Sequence, residues 1–369
     1  MRTAALSDRS RRRLRWAAPV VAGAVMIGVG PLVDAVTANA HGSLPPRTAA
    51  QLLVDVQQAK VKALSGTVVA TTDLGLPQLP TIGGSGGGGD QASFSSLVSG
   101  SHTMRVWYDG PDRIRLALLG QLGESDLVRN GADLWAWSSG DNTATHWTVP
   151  THQEAGPLGT TSPSGPAMTP QQAAEAALKA IDPSTRVATD PGAQVAGRSA
   201  YQLDLVPRDS RSLIGSVRIA IDGSTHIPTR VQVFARGASS PAFQVGYTSF
   251  ATATPPSSVF GFRPPPGATV KQGSLGHEQP GIDAHGSRTA APQVLGKGWT
   301  SVVVAHLPQG KSQGPAPMGL LKSLPAVSGS WGSGHLLRSS LLSVVLTDDG
   351  RIAVGAVAPQ MLYDALSHT

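Results

Sequence analysis

From His102 to Pro150 the chain alternates apolar and polar residues in short runs separated by turn formers, a pattern that fits consecutive β-strands and little else. In an extended backbone Met104, Val106 and Tyr108 point one way, and Arg105, Trp107 and Asp109 point the other. Ile114, Leu116 and Leu118 alternate in the same way with Arg113 and Arg115. Asp109-Gly110-Pro111, Asn130-Gly131 and Asp141-Asn142 tolerate the backbone angles that hairpins demand. An antiparallel meander with two unlike faces is expected.

The same alternation returns in a second series, expected as strands over 185–189, 200–206, 216–222, 227–235 and 242–250. Its apolar positions are Tyr201, Leu203 and Leu205, then Val217, Ile219 and Ile221, then Val231 and Val233. One broad sheet accounts for both series. Two helices are expected against it. One runs over 47–64, capped by Thr48, ended by Gly66 and followed by a strand at TVVATTD. The other runs over 169–181, opened by Thr169-Pro170 and stopped at Asp182-Pro183.

Charge and cysteine content exclude several function classes. The chain has no Cys, hence no disulfide, thiolate metal site or thiol nucleophile. Of its 29 basic residues, Arg2, Arg9, Arg11, Arg12, Arg13 and Arg15 sit at the N-terminus, so the body beyond residue 40 is nearly neutral and has little pull on nucleic-acid phosphates. The basic cluster runs into an apolar stretch from Trp16, the layout of an export segment. Residues 1–40 are read as a signal peptide cleaved near Ala40 or as a membrane anchor over residues 16–36.

Residues 74–101 form a glycine-rich, flexible loop by composition. Matches there to G-x-S-x-G and G-x-G-x-x-G carry no weight, because neither follows a strand or opens a helix. Residues 271–292 read as a linker; its His277, Glu278, Asp283 and His285 lack a fixed metal-binding spacing, and no metal or cofactor is expected. The ten histidines are scattered singly and none stands in H-E-x-x-H, so no enzyme is expected.

Several segments, in order, resemble a known family. Leu64-Ser65-Gly66-Thr67-Val68 after a helix, the Trp107-Tyr108-Asp109-Gly110-Pro111 turn, Asn130-Gly131-Ala132-Asp133-Leu134-Trp135 and Val259-Phe260-Gly261-Phe262-Arg263-Pro264-Pro265-Pro266-Gly267 are similar to the LolA-like half-barrel. Residues 196–234, with Asp222 and Pro228 at D-x-x-x-x-x-P spacing, are closer to sigma-factor regulators of the MucB/RseB type. The resemblance covers roughly residues 44–270. It implies an α+β fold: an incomplete antiparallel β-barrel with a helical lid, whose apolar concave side holds lipid or lipoprotein acyl chains.

The implied cavity lining is Val106, Tyr108, Ile114, Leu116, Leu118, Trp135, Trp137, Tyr201, Leu203, Leu205, Val217, Ile219, Ile221, Val231 and Val233. For the tryptophans, which alternate with Leu134 and Ala136, an outer-face patch is the competing placement and plain packing a third. Residues 293–369 read as a small α+β domain with a strand over 299–305, a short helix over 318–324, a hairpin over 341–357 turned at Asp348-Asp349-Gly350, and a last helix from Pro359 through Leu366. It is similar to the second domain of the MucB/RseB type, which helps contact a membrane-bound anti-sigma factor. Two functions follow from the resemblance: a carrier in the cell envelope, or a regulator that binds such a partner.

Overall fold

The computed structural model describes residues 44–75, 100–120, 123–150, 183–273, 292–306 and 324–369. The export segment, most of the glycine-rich loop, the expected helix over 169–181, the linker histidines and nearly all of the expected short helix over 318–324 lie outside the described residues. Among the described residues no helix is long and apolar enough to cross a membrane.

A 12-stranded sheet dominates the chain. After helix α1 (Ala49–Gln58) come β1 (Ala63–Thr72), β2 (Gly100–Asp109), β3 (Arg113–Leu119), β4 (Glu124–Asn130), β5 (Asp133–Ser138) and β6 (Thr143–Thr148). The second series is β7 (Thr185–Val195), β8 (Arg198–Pro207), β9 (Ile214–Asp222), β10 (Pro228–Ala235) and β11 (Pro241–Ala251), and a short β12 (Thr269–Gln272) is the last strand of this sheet. In space the order is β12-β6-β5-β4-β3-β2-β1-β11-β10-β9-β8-β7. The two meanders are therefore joined through β1 and β11, and the end strands β12 and β7 do not pair. The sheet is open, not a closed barrel.

The expected turns form where the sequence places them. Gly110, Gly131 and Asn142 all adopt positive φ. Two expectations need correction. Helix α1 ends at Gln58 rather than continuing to Leu64, because residues from Ala63 on are claimed by the ladder to β2, joined from Ser65 by the ladder to β11. The sheet is mixed rather than wholly antiparallel, since β12 runs parallel to β6.

Helix α1 is short but well anchored. Thr48 and Gln51 form a reciprocal capping box. The Tyr201 hydroxyl donates to the Pro45 carbonyl at 2.9 Å, and the Thr189 hydroxyl donates to the Arg47 carbonyl at 3.0 Å, which fixes the approach of the helix to β7 and β8.

A second, six-stranded sheet contains β13 (Gln293–Leu295), β14 (Val302–His306), β15 (Ala326–Gly329), β16 (Gly332–Arg338), β17 (Ser343–Thr347) and β18 (Arg351–Gly355), in the order β13-β14-β18-β17-β16-β15. Helix α2 (Pro359–Ser367) packs Leu362 and Leu366 against Val302, Val345 and Ala353. The hairpin and last helix form as expected, while the strand expected over 299–305 begins only at Val302, after a 3-10 turn at Gly298–Thr300.

This sheet is docked onto the first. Trp299 Nε1 donates to Thr185 Oγ1 at 2.7 Å, the Leu213 amide donates to Ala356 O, and the Ser340 amide donates to Leu74 O. Leu341, Trp299 and Ala356 pack against Ile214, Ala242, Val217, Val233 and Phe243.

Candidate functional site

Cross-strand partners share a face, so the register sorts every side chain of the large sheet to one side or the other. One row runs Leu203, Ile219, Val231, Val245, Ala70 across five adjacent strands. The next runs Val187, Leu205, Val217, Val233, Phe243. Through β1 the same side continues as Tyr247, Val68, Met104, Leu118, and then as Phe250, Gly66, Val106, Leu116, Leu127, Ala136. Tyr108 and Ile114 stand beside Leu64 on this side as well.

The other side is polar where it crosses the second meander. Asp204, Arg218, Gln232 and Gln244 form one of its rows, with Arg218 3.7 Å from Asp204 and a hydrogen bond between the two glutamines.

Thirteen of the fifteen expected lining residues thus share one apolar face: Val106, Tyr108, Ile114, Leu116, Leu118, Tyr201, Leu203, Leu205, Val217, Ile219, Ile221, Val231 and Val233. Trp135 and Trp137 do not, and this corrects their expected placement in the cavity. Their neighbours Leu134 and Ala136 take the apolar side, so period-two geometry sends both indoles to the opposite one. There they are covered by the strap of residues 252–268 that carries the chain from β11 to β12. Phe262 lies 5.5 Å from Trp135 and 6.3 Å from Trp137, and Trp135 stacks on His146 at 4.3 Å, measured between ring centroids. Phe260 of the strap is itself buried, and Arg115 Nη1 donates to the Val259 carbonyl at 3.3 Å.

The apolar face is covered unevenly, and that divides it into three zones. Over β7 to β9, Tyr201, Leu203, Leu205, Ile219 and Ile221 pack against Leu52, Leu53 and Val56 of α1. Towards the start of β9 and the end of β10, Val217 and Val233 pack against the six-stranded sheet. Between them Val106, Leu116, Leu118 and Val231 cluster with Val68, Met104, Val245 and Tyr247, a group that among the described residues draws on β1, β2, β3, β10 and β11. Helix and second sheet pack the flanks; in the central zone Val68, Met104, Leu118 and Val245 are buried, and the partly buried Val106, Leu116, Val231 and Tyr247 form the candidate ligand surface.

Local geometry shapes this zone. Thr248 is an extra residue in β11, so the register shifts between Thr67 and Val68 and re-aims Tyr247. Gly66 makes room for it, since a Cβ there would strike the Ser249 carbonyl and the Tyr247 ring. Burial pushes the Tyr247 hydroxyl up to about 12, so it stays neutral at physiological pH.

Charge is concentrated elsewhere. Asp222, buried at the β9 to β10 turn, accepts from Arg198 Nε at 2.6 Å and from Ser224 and Thr225. Burial works to raise its carboxyl, but these hydrogen bonds outweigh it and hold Asp222 well below the usual carboxylate range. This explains the Asp222 to Pro228 spacing: the aspartate closes the turn whose return strand Pro228 begins.

No family model matches the chain, and no curated protein matches it. Among solved structures it is similar to the MucA/MucB complex of Pseudomonas aeruginosa, with 15% identity, a TM-score of 0.41, and coverage of 86% of this chain and 96% of that one. MucB in complex with periplasmic MucA gives 14% identity and a TM-score of 0.42, over 86% of this chain and 97% of that one. A LolA superfamily protein from Nitrosomonas europaea gives 11% identity and a TM-score of 0.21, over 59% of this chain and 99% of that one.

Proposed function

We propose that this chain is an exported cell-envelope protein that holds a lipid or lipoprotein acyl chain against the central zone of its apolar face, as a carrier does. The observation that supports the reading is the contrast within one face, where α1 and the six-stranded sheet pack the flanks while, among the described residues, the middle cluster draws its side chains from strands of the large sheet. A hydrocarbon chain laid there would gain about 0.8 kcal/mol per buried methylene, roughly 10 kcal/mol gross for sixteen carbons before ordering costs. Apolar lining without an aligned charge favours recognition of the chain over its head group.

In this reading the protein performs no catalysis, α1 is part of a helical lid, and residues 16–36 either anchor it to the membrane or are removed near Ala40. Titration of the purified chain with a fluorescent fatty acid tests it: saturable binding at one site is expected, and no binding would overturn it.

A second reading is a regulator of the MucB/RseB type, whose C-terminal module binds a membrane-bound anti-sigma factor. Edge strand β13 supports it. Its outer side has no strand partner among the described residues and Val294 is half exposed, so a partner segment can add to the ladder there. Capture of such a partner that disappears on mutation of β13 would favour this reading.

A further inference from the structure

The strap rests on a charged cluster that neither reading uses. Arg115 on β3 reaches Asp126 on β4 at 2.6 Å and Glu124 at 3.7 Å, while its other terminal nitrogen holds the strap through the Val259 carbonyl. Asp126 is 98% buried, and it is the cross-strand partner of Trp137, on which the strap places Phe262. Two carboxylates thus face one guanidinium, Asp126 buried and Glu124 at the cluster's solvent edge, which leaves one negative charge in excess when both are ionised.

Among the described residues no other charge nearby supplies the balance. On β3, Arg113 is taken by Asp109 at 2.6 Å. On β2, Arg105 is exposed and separated from Asp126 by Ala117 in the same cross-strand row, and Trp107 contributes only its ring, 5.6 Å from Arg115. On β5 and β6, Asp133 and His146 are paired with each other at 2.7 Å, and Arg263 of the strap itself is exposed.

We propose that the Arg115–Glu124–Asp126 cluster is a proton-operated latch, in which uptake of one proton seats the strap over Trp135 and Trp137 and its release at neutral pH loosens it. The direction follows from linkage. Burial first, and Glu124 after it, raise the Asp126 carboxyl to about 6 against the pull of Arg115. Lifting the strap returns water to it and with water an ordinary carboxylate value near ~4. The covered state therefore binds the proton more tightly, and acidification from above pH 6 towards the ordinary range favours the covered state. A difference of about two units bounds the effect at roughly a hundredfold.

Hydrogen exchange followed by mass spectrometry on the full chain, corrected for intrinsic rates, tests this over residues 252–268. The wild-type strap is expected to be up to about tenfold more protected at pH 5 than at pH 7.5. Asp126→Asn removes the titration without changing shape, so its protection should be the same at both values. Glu124→Gln removes the excess charge and should move the transition to lower pH. Equal wild-type protection at both pH values, or an undiminished gain in Asp126→Asn, overturns the latch. Should Asp126→Asn fail to fold, a transition that stays at the wild-type pH in Glu124→Gln overturns it equally.

Discussion

Trp135 stacks on the His146 ring at 4.3 Å, and the stack lies on the side of the sheet turned away from Leu116 and Val106. The two faces are therefore chemically separate: one presents aliphatic side chains, the other presents indoles roofed by residues 252–268. A substitution on one face should leave the other's property intact. Leu116→Glu places a carboxylate in the central apolar zone and should lower acyl-chain affinity by at least about tenfold, since burying an unpaired charge costs several kcal/mol. Trp135→Ala should leave that affinity unchanged within about twofold while loosening the strap, because its packing partner is Phe262. Fluorescent fatty-acid titration of both variants measures the contrast, and equal losses would contradict the face assignment.

Gly66 tests the packing of the central zone. A methyl group there meets the Ser249 carbonyl and the Tyr247 ring, neither of which can yield without disturbing the β1 to β11 ladder. Gly66→Ala is expected to destabilise by about 1–3 kcal/mol, read as a lower denaturation midpoint at unchanged slope. Tyr247→Ala in the same background should restore part of the loss by vacating the space.

Asp126 and Asp222 set opposite pH dependences. The folded-state value of Asp126 lies above its ordinary one, so its contribution to stability grows as pH falls through about 6 and is complete below the ordinary value near ~4. That of Asp222 lies below, so its contribution is complete above about pH 4 and is lost as pH falls further. Denaturation curves across pH 3 to 8 should therefore peak on the acid side of neutrality. Asp126→Asn should remove the rise between pH 7 and 5 and keep the acid loss. Asp222→Ala should cost about 3 kcal/mol at neutral pH, because it leaves Arg198 without its buried partner.

The six-stranded sheet covers part of the apolar face, so it is not a freely detachable unit. Removal of residues 293–369 uncovers Ile214, Ala242, Val217, Val233 and Phe243. The shortened chain should bind the dye ANS and unfold at lower denaturant than the full chain. Trp299→Phe, which deletes the hydrogen bond to Thr185 and part of the indole's packing on Ile214 and Ala242, should cost about 1–3 kcal/mol.

What the sequence revealed and what it hid have physical reasons. Tyr201, Leu203 and Leu205 alternate with Gln202 and Asp204, so both the strand and its inward face can be read at once. Around Trp135 the signal fails, because Leu134, Trp135, Ala136 and Trp137 are apolar on both sides. What decides between the sides is Phe262, a contact made across more than a hundred residues of chain. Capping at Thr48 is local and visible, whereas the end of α1 is set by ladders to β2 and β11 and is not. Strands β15 and β16 escape notice because Gly329, Gly332 and Gly334 interrupt any alternation. Yet Gly334 is required where the backbone of Leu346 and Thr347 comes close.

Native mass spectrometry of the gently purified chain, with and without Leu116→Glu, addresses the central claim most directly. The account predicts a wild-type species carrying one acyl lipid per chain, absent or strongly reduced in the variant. A wild-type protein that appears only at its bare mass, and stays there after incubation with excess fatty acid, would contradict it.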